Sequence, residues 1–170
     1  MIHCDPILCV GCRMCEVACS AHHFGAVSPA LARIRVVKLE AIGIDTAIAC
    51  MSCAEKPCLE CPTEALSVGE TGQVVLDELL CNACETCVEA CPVGAVGFYN
   101  ETPLFCDLCG GATSCIAVCP TDALSNREGG VSLDAFLDVE GRPREKRAHY
   151  AEVLTQPIRE AWRQGARVDS

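Results

Sequence analysis

Cysteine is the residue type in this chain that stands ready for chemistry. There are 17 cysteines among 170 residues, the density at which cysteine stops being ordinary packing material. They fall into four groups of four with one left over. Group one is Cys9, Cys12, Cys15 and Cys19; group two is Cys50, Cys53, Cys58 and Cys61, followed by Pro62. Group three is Cys81, Cys84, Cys87 and Cys91, followed by Pro92; group four is Cys106, Cys109, Cys115 and Cys119, followed by Pro120. The remainder is Cys4. An odd count leaves at least one thiol outside any full set of disulfides. The opening Met1-Ile2-His3-Cys4-Asp5 has no basic and apolar leader, so a reducing, cytoplasmic setting is expected. There cysteines bind metal more often than they cross-link.

Groups one and three share the spacing Cys-x2-Cys-x2-Cys-x3-Cys, the run found in bacterial two-cluster ferredoxins. An iron–sulfur cubane has four corner irons, each needing one thiolate. Three cysteines two residues apart let one tight loop wrap one side of it, and Gly11 suits a loop that needs positive φ. The fourth cysteine is expected at the start of a short helical turn facing away, ligating a neighbouring cubane, with the proline redirecting the chain. Zinc is the structural alternative, but zinc ribbons use two Cys-x2-Cys pairs around a longer insert. A third cysteine in the same loop and then Cys-Pro is not what one tetrahedral ion needs.

The elements that must hold these loops are short and repeated. Cys61-Pro62-Thr63-Glu64-Ala65-Leu66, Cys91-Pro92-Val93-Gly94-Ala95-Val96 and Cys119-Pro120-Thr121-Asp122-Ala123-Leu124 share one pattern, an internal repeat. Each reads as loop, short helix, turn and strand. Strands are expected at Ala65–Val68, Val74–Leu76, Ala95–Tyr99 and Val131–Leu133, with Ile34–Leu39 the longest β-like run near group one. The fold class is α+β: two ferredoxin-like dicluster units around four cubanes, followed by a helical C-terminal tail. Residues 1–125 form the cluster domain, and 126–170 a linker and tail.

Cys9-Val10-Gly11-Cys12-Arg13-Met14-Cys15-Glu16-Val17-Ala18-Cys19 resembles the opening motif of four-cluster iron–sulfur subunits. These are the electron-transfer subunits of molybdenum and tungsten oxidoreductases of the dimethyl sulfoxide reductase and formate dehydrogenase type. The short stretch from Cys106 to Pro120 is similar to the small subunits that accompany tungsten aldehyde oxidoreductases and related benzoyl-CoA reductases. The resemblance implies four [4Fe-4S] clusters with group one paired to group four, and group two to group three. Cluster A would take Cys9, Cys12, Cys15 and Cys119; cluster B, Cys106, Cys109, Cys115 and Cys19. Cluster C would take Cys50, Cys53, Cys58 and Cys91; cluster D, Cys81, Cys84, Cys87 and Cys61. Group two departs from the pattern, because only two residues separate Cys58 from Cys61. The implied partners are a tungsten or molybdenum pterin catalytic subunit of anaerobic metabolism and a flavin- or NAD-reducing subunit or further copies of the chain.

Other functions find little support in the residues. A net charge of −10 argues against nucleic acid, which calls for a basic stripe. No run of 18 apolar residues predicts a membrane span. Gly110-Gly111 lies between ligand candidates and is no dinucleotide fingerprint. No Ser-His-Asp or Cys-His arrangement stands clear of the clusters. The expectation is a non-catalytic wire, with a free-standing polyferredoxin carrier as the alternative. His22-His23 is expected in an exposed loop, and Cys4 as a buried small hydrophobe in the first strand. From Glu140 on, basic residues lead by 7 to 5. There Tyr150, Val153, Leu154, Ile158, Ala161 and Trp162 recur at helical spacing. Pro157 is expected to kink that helix or open a second one capped by Thr155. The stripe either docks on another subunit or packs on this chain's own core.

Overall fold

A computed structural model describes residues 1–165; of the tail, 166–170 lie outside the described residues. Regular structure is sparse and consists of four antiparallel two-stranded ribbons and four helices. The strands are β1 (Ile2–Cys4), β2 (Ile34–Leu39), β3 (Ile44–Ala49), β4 (Leu66–Val68), β5 (Val74–Leu76), β6 (Gly97–Tyr99), β7 (Thr102–Leu104) and β8 (Leu124–Asn126). The helices are α1 (Met14–Phe24), α2 (Thr86–Ala90), α3 (Ser114–Ala117) and α4 (Pro143–Arg163). Three ribbons are local hairpins, β2–β3, β4–β5 and β6–β7. The fourth joins the ends of the cysteine-bearing region, with Ile2 opposite Asn126 and Cys4 opposite Leu124.

Buried side chains form two clusters, and the cysteines divide between them. Cys15, Cys19 and Cys115 pack with Ile2, Cys4, Ile34 and Leu124. Cys58, Cys87 and Cys91 pack with Val74, Val93, Phe105 and Tyr150. Groups one and four therefore contribute to one core, and groups two and three to the other. The wall between them is β3, through strand alternation. Its Ala47 and Ala49 face the first cluster, and Ile48 faces the second.

Several local expectations are revised. Val131–Leu133 is not a strand; Val131 accepts the Ala54 amide at 3.2 Å and Leu133 is buried just ahead of a 3₁₀ turn at Asp134–Phe136. This segment crosses the group two loop, where no open edge awaits it. Within Ala95–Tyr99 only Gly97–Tyr99 pairs, because Ala95 donates its amide to the Cys91 sulfur at 3.2 Å instead. His22 and His23 lie in the last turn of α1, not in a loop. The fourth cysteines do not open helical turns: Cys19 lies inside α1, and Cys91 follows α2 directly.

Within the tail, Pro143–Arg163 is one continuous helix. Thr155 does not cap it; its hydroxyl donates back to the Ala151 carbonyl at 2.8 Å, a bond available inside a helix. Pro157 removes the amide that would meet the Val153 carbonyl, but both residues lie on the exposed side. Tyr150, Ala151, Thr155 and Ile158 are buried against the chain's own core. Over its first four turns the stripe is thus core, and Val153 and Trp162 remain exposed. Tyr150→Ala should lower unfolding stability by roughly 3 kcal/mol through the cavity it leaves. Val153→Ala, on the outer side, should stay within about 0.5 kcal/mol. Chemical denaturation of the two variants checks the orientation of the helix, and equal losses would contradict it.

Candidate iron–sulfur centres

Each cysteine loop is shaped by the same backbone device. A left-handed residue stands two positions after the first cysteine in every group: Gly11, Ser52, Ala83 and Leu108. Another stands two positions before the third cysteine: Arg13, Lys56, Glu85 and Thr113. After three of the fourth cysteines a further one follows at the third position, namely Glu64, Gly94 and Asp122. Alternating right- and left-handed residues turn successive amides inward to form a concavity for anions. Non-glycine residues in this region cost about 1 kcal/mol or more each, so the repeated placement points to function. At Gly11 the space is also closed, since a Cβ there would strike the Asp45 carboxylate, which pairs with Lys38 across β2–β3.

The loops bring the expected sets of sulfurs together. Cys9, Cys12, Cys15 and Cys119 line one hollow. Cys50, Cys53, Cys58 and Cys91 line a second. Cys61, Cys81, Cys84 and Cys87 line a third. Each of the three gathers four cysteines within an otherwise mostly apolar wall. Cys115 is surrounded by Cys106, Cys19 and Cys109, which completes the fourth set by proximity. Cys61 joins its hollow despite the short spacing of group two. Between sets, Cys15 lies near Cys115, Cys106 near Cys50, and Cys58 near Cys87.

The electrostatics fit a metal-bound group better than free thiols. Burial, followed by neighbouring sulfurs or acids, pushes Cys15, Cys58, Cys106 and Cys115 up to about 12. Burial likewise pushes Cys87 up to about 11. Left alone, such thiols stay protonated and inert at neutral pH. Amides nevertheless aim at sulfurs as they would at thiolates: Arg33 to Cys19 and Ala95 to Cys91, both at 3.2 Å. At Cys119 burial raises the thiol, but the amides of Thr121, Leu124 and Ala123 outweigh it and hold it below its ordinary value. At half-buried Cys61 the Thr63 hydroxyl is the main cause of a lowered value. A donor set of clustered thiols and pre-aimed amides fits all-cysteine iron–sulfur ligation.

Some residues around the sulfurs were not singled out in the sequence. Thr63, Thr86 and Thr121 bring hydroxyls to 3.5, 3.3 and 3.9 Å of Cys61, Cys84 and Cys119. The signal was a Cys-x-Thr step at each position. His23 comes within 3.7 Å of the Cys109 sulfur and His22 within 3.1 Å of the Ser114 hydroxyl. Asp107 faces His23 at 3.4 Å and binds Arg33 at 2.7 Å. No sequence signal marked these long-range meetings. Cys4 is buried in β1, as expected, and accepts the Ala47 amide at 3.2 Å.

Comparison with known proteins agrees with this chemistry. Residues 74–96 match the family described as 4Fe-4S binding domain. The chain is 46% identical over 110 residues to the aliphatic sulfonate oxidoreductase, polyferredoxin-like subunit, of Pyrococcus furiosus, covering 62% of this chain and 63% of that one. It is 40% identical over 100 residues to the electron transport protein HydN of Escherichia coli, covering 54% and 55%. The chain thus spans less than two thirds of the length of these relatives. A subunit in the active site complex BamBC of benzoyl coenzyme A reductase aligns over 96% of both chains at 26% identity, with a TM-score of 0.46; at that score the likeness establishes no common fold. Among the described residues no helix is long and apolar enough to cross a membrane.

Loading such thiols with iron must release their protons. Anaerobic reconstitution should therefore be more complete at ~pH 8.5 than at ~pH 6.5, with acid released in proportion to iron taken up. Uptake that is equal at both pH values would contradict ligation by the raised, buried thiols.

Proposed function

We propose that the chain is an electron-transfer iron–sulfur subunit with four [4Fe-4S] clusters. It would serve a tungsten or molybdenum oxidoreductase of the aldehyde oxidoreductase type and a further redox partner. The observation that carries this reading is the assembly of cysteines from distant loops into separate quartets, three of them lining hollows. In this reading cluster A is held by Cys9, Cys12, Cys15 and Cys119, and cluster B by Cys106, Cys109, Cys115 and Cys19. Cluster C is held by Cys50, Cys53, Cys58 and Cys91, and cluster D by Cys81, Cys84, Cys87 and Cys61. Each cubane, when bound, can take up or give back one electron.

The protein's own part is to hold and insulate. Paired sulfurs between neighbouring sets favour a single line running A, B, C, D. Cys12 and Cys84, from the two outer sets, are the exposed cysteines, so the ends of the line would lie closest to docked partners. Inner sulfurs such as Cys19, Cys58, Cys91 and Cys115 are buried, which keeps water away from the middle. With four cysteines in every set, no iron is left for substrate, and chemistry would belong to another chain. The relatives' names, a polyferredoxin-like subunit and an electron transport protein, favour the same role. The tungsten or molybdenum partner rests on the motif resemblance alone.

Anaerobically prepared protein should contain close to sixteen irons and sixteen sulfides per chain, four for each cubane. Cys12→Ser should lose or cripple one cluster and destabilise the fold around it, because bound metal is part of folding free energy. Cys4→Ser should leave the iron count unchanged. A count near twelve, zinc in place of iron, or iron loss in Cys4→Ser would each refute part of the assignment.

A further inference from the structure

Two cations of α4 hold the Cys91 turn directly, and a third stands close to one of them. Lys146 of α4 is 7% exposed and donates from Nζ to the Glu89 carbonyl at 2.7 Å. Arg147 donates to the Gly94 carbonyl. Glu89 lies two residues before Cys91 and Gly94 three residues after it, so α4 grasps both flanks of this turn. The fit is close: Gly94 has φ +60°, and a Cβ there would collide with the Pro143 backbone carbonyl. Arg35 of β2 is the third cation, near enough to Arg147 for the two charges to oppose each other.

These charges lack an obvious balance within the polypeptide. Among the described residues, none of the three is in an ion pair. Both arginines feel Glu16, but that carboxylate accepts the Val36 amide at 2.8 Å and faces Arg13. One acid does not offset three cations, and a buried cation is costly without a compensating negative charge. The other groups they sense are sulfurs: Cys91 lies near Arg147, and Cys19 near Arg35.

We propose that Lys146 and Arg147 form a cationic clamp whose counter-charge is the [4Fe-4S] centre held through Cys91, and that the clamp raises the reduction potential of that centre. This inference rests on the assignment of Cys91 to a cluster in the preceding subsection. A cubane with four thiolates goes from about −2 to about −3 on reduction. A fixed cation in a poorly solvated site favours the more negative state, against the general effect of an acidic chain. The two are positioning residues, since they act on the centre through charge and through the backbone that carries its ligand.

The test uses the full chain, reconstituted anaerobically, with the potential of each centre followed by EPR during redox titration. Lys146→Met and Arg147→Met should keep the wild-type iron count. Each should lower the reduced-to-oxidised ratio of one centre about tenfold at a fixed potential, which is 59 mV for one electron. The charge-preserving variants Lys146→Arg and Arg147→Lys should titrate as wild type. Arg147→Met decides the matter even if Lys146→Met loses iron. The clamp is refuted if neutral variants leave every centre unmoved, or if neutral and charge-preserving variants shift alike. Cys91→Ala separates this from the underlying assignment. It should abolish the very centre that the neutral variants shift, whereas full iron retention would overturn the assignment of Cys91 itself.

Discussion

Four sulfurs must converge on one point from two loops far apart in the chain, and the rest of the structure follows from that demand. A loop can bring three cysteines round a common centre only if its backbone reverses hand twice within a few residues. It does so at Gly11 and Arg13, Ser52 and Lys56, Ala83 and Glu85, and Leu108 and Thr113. One of these eight is glycine, so the others hold conformations that their own side chains disfavour. Such strain persists where the surroundings over-determine it. Free-energy return from metal binding is the natural source, since a site of this kind is not preformed in the unfolded chain.

The sparse regular structure has the same origin. Strands of three residues and helices of four or five cannot build a large apolar core. The buried cysteines are themselves core residues, shared between two clusters on either side of β3. In the proposed ligation, packing and metal binding are not separable, and each buried cysteine sulfur except that of Cys4 belongs to both. α4 supplies what the loops lack. It is the longest helix among the described residues, it brings Tyr150 and Ala151 into the second cluster, and its Lys146 and Arg147 bind the backbone on either side of Cys91.

Much of the site was legible in the sequence because ligand spacing is a local property. The grouping of sixteen cysteines, the odd position of Cys4 and the Cys-Pro repeat could all be read without a structure. So could Ile34–Leu39, where β-branched residues run long enough to form a strand. β3 was harder, since its residues are buried on both faces and show no alternation. Val131–Leu133 read as a strand on composition, but no edge was there to receive it. The Cys-x-Thr steps were present in the sequence, yet only proximity of hydroxyl to sulfur gave them meaning.

The sequence by itself determined the kind of chemistry, because the number, spacing and softness of thiolates select iron–sulfur ligation before any fold is known. It also implied, by resemblance, which groups share a centre. Tertiary structure decided what depends on long-range meetings. It drew Cys119 beside Cys9, Cys12 and Cys15, and Cys61 beside Cys81, Cys84 and Cys87. It set His23 against Cys109 and turned the apolar stripe of α4 inward. A helix stripe reads the same whether it will meet its own core or another protein. Only the position of the Cys91 turn, reached by Lys146 and Arg147 across more than fifty residues of chain, made it part of this one.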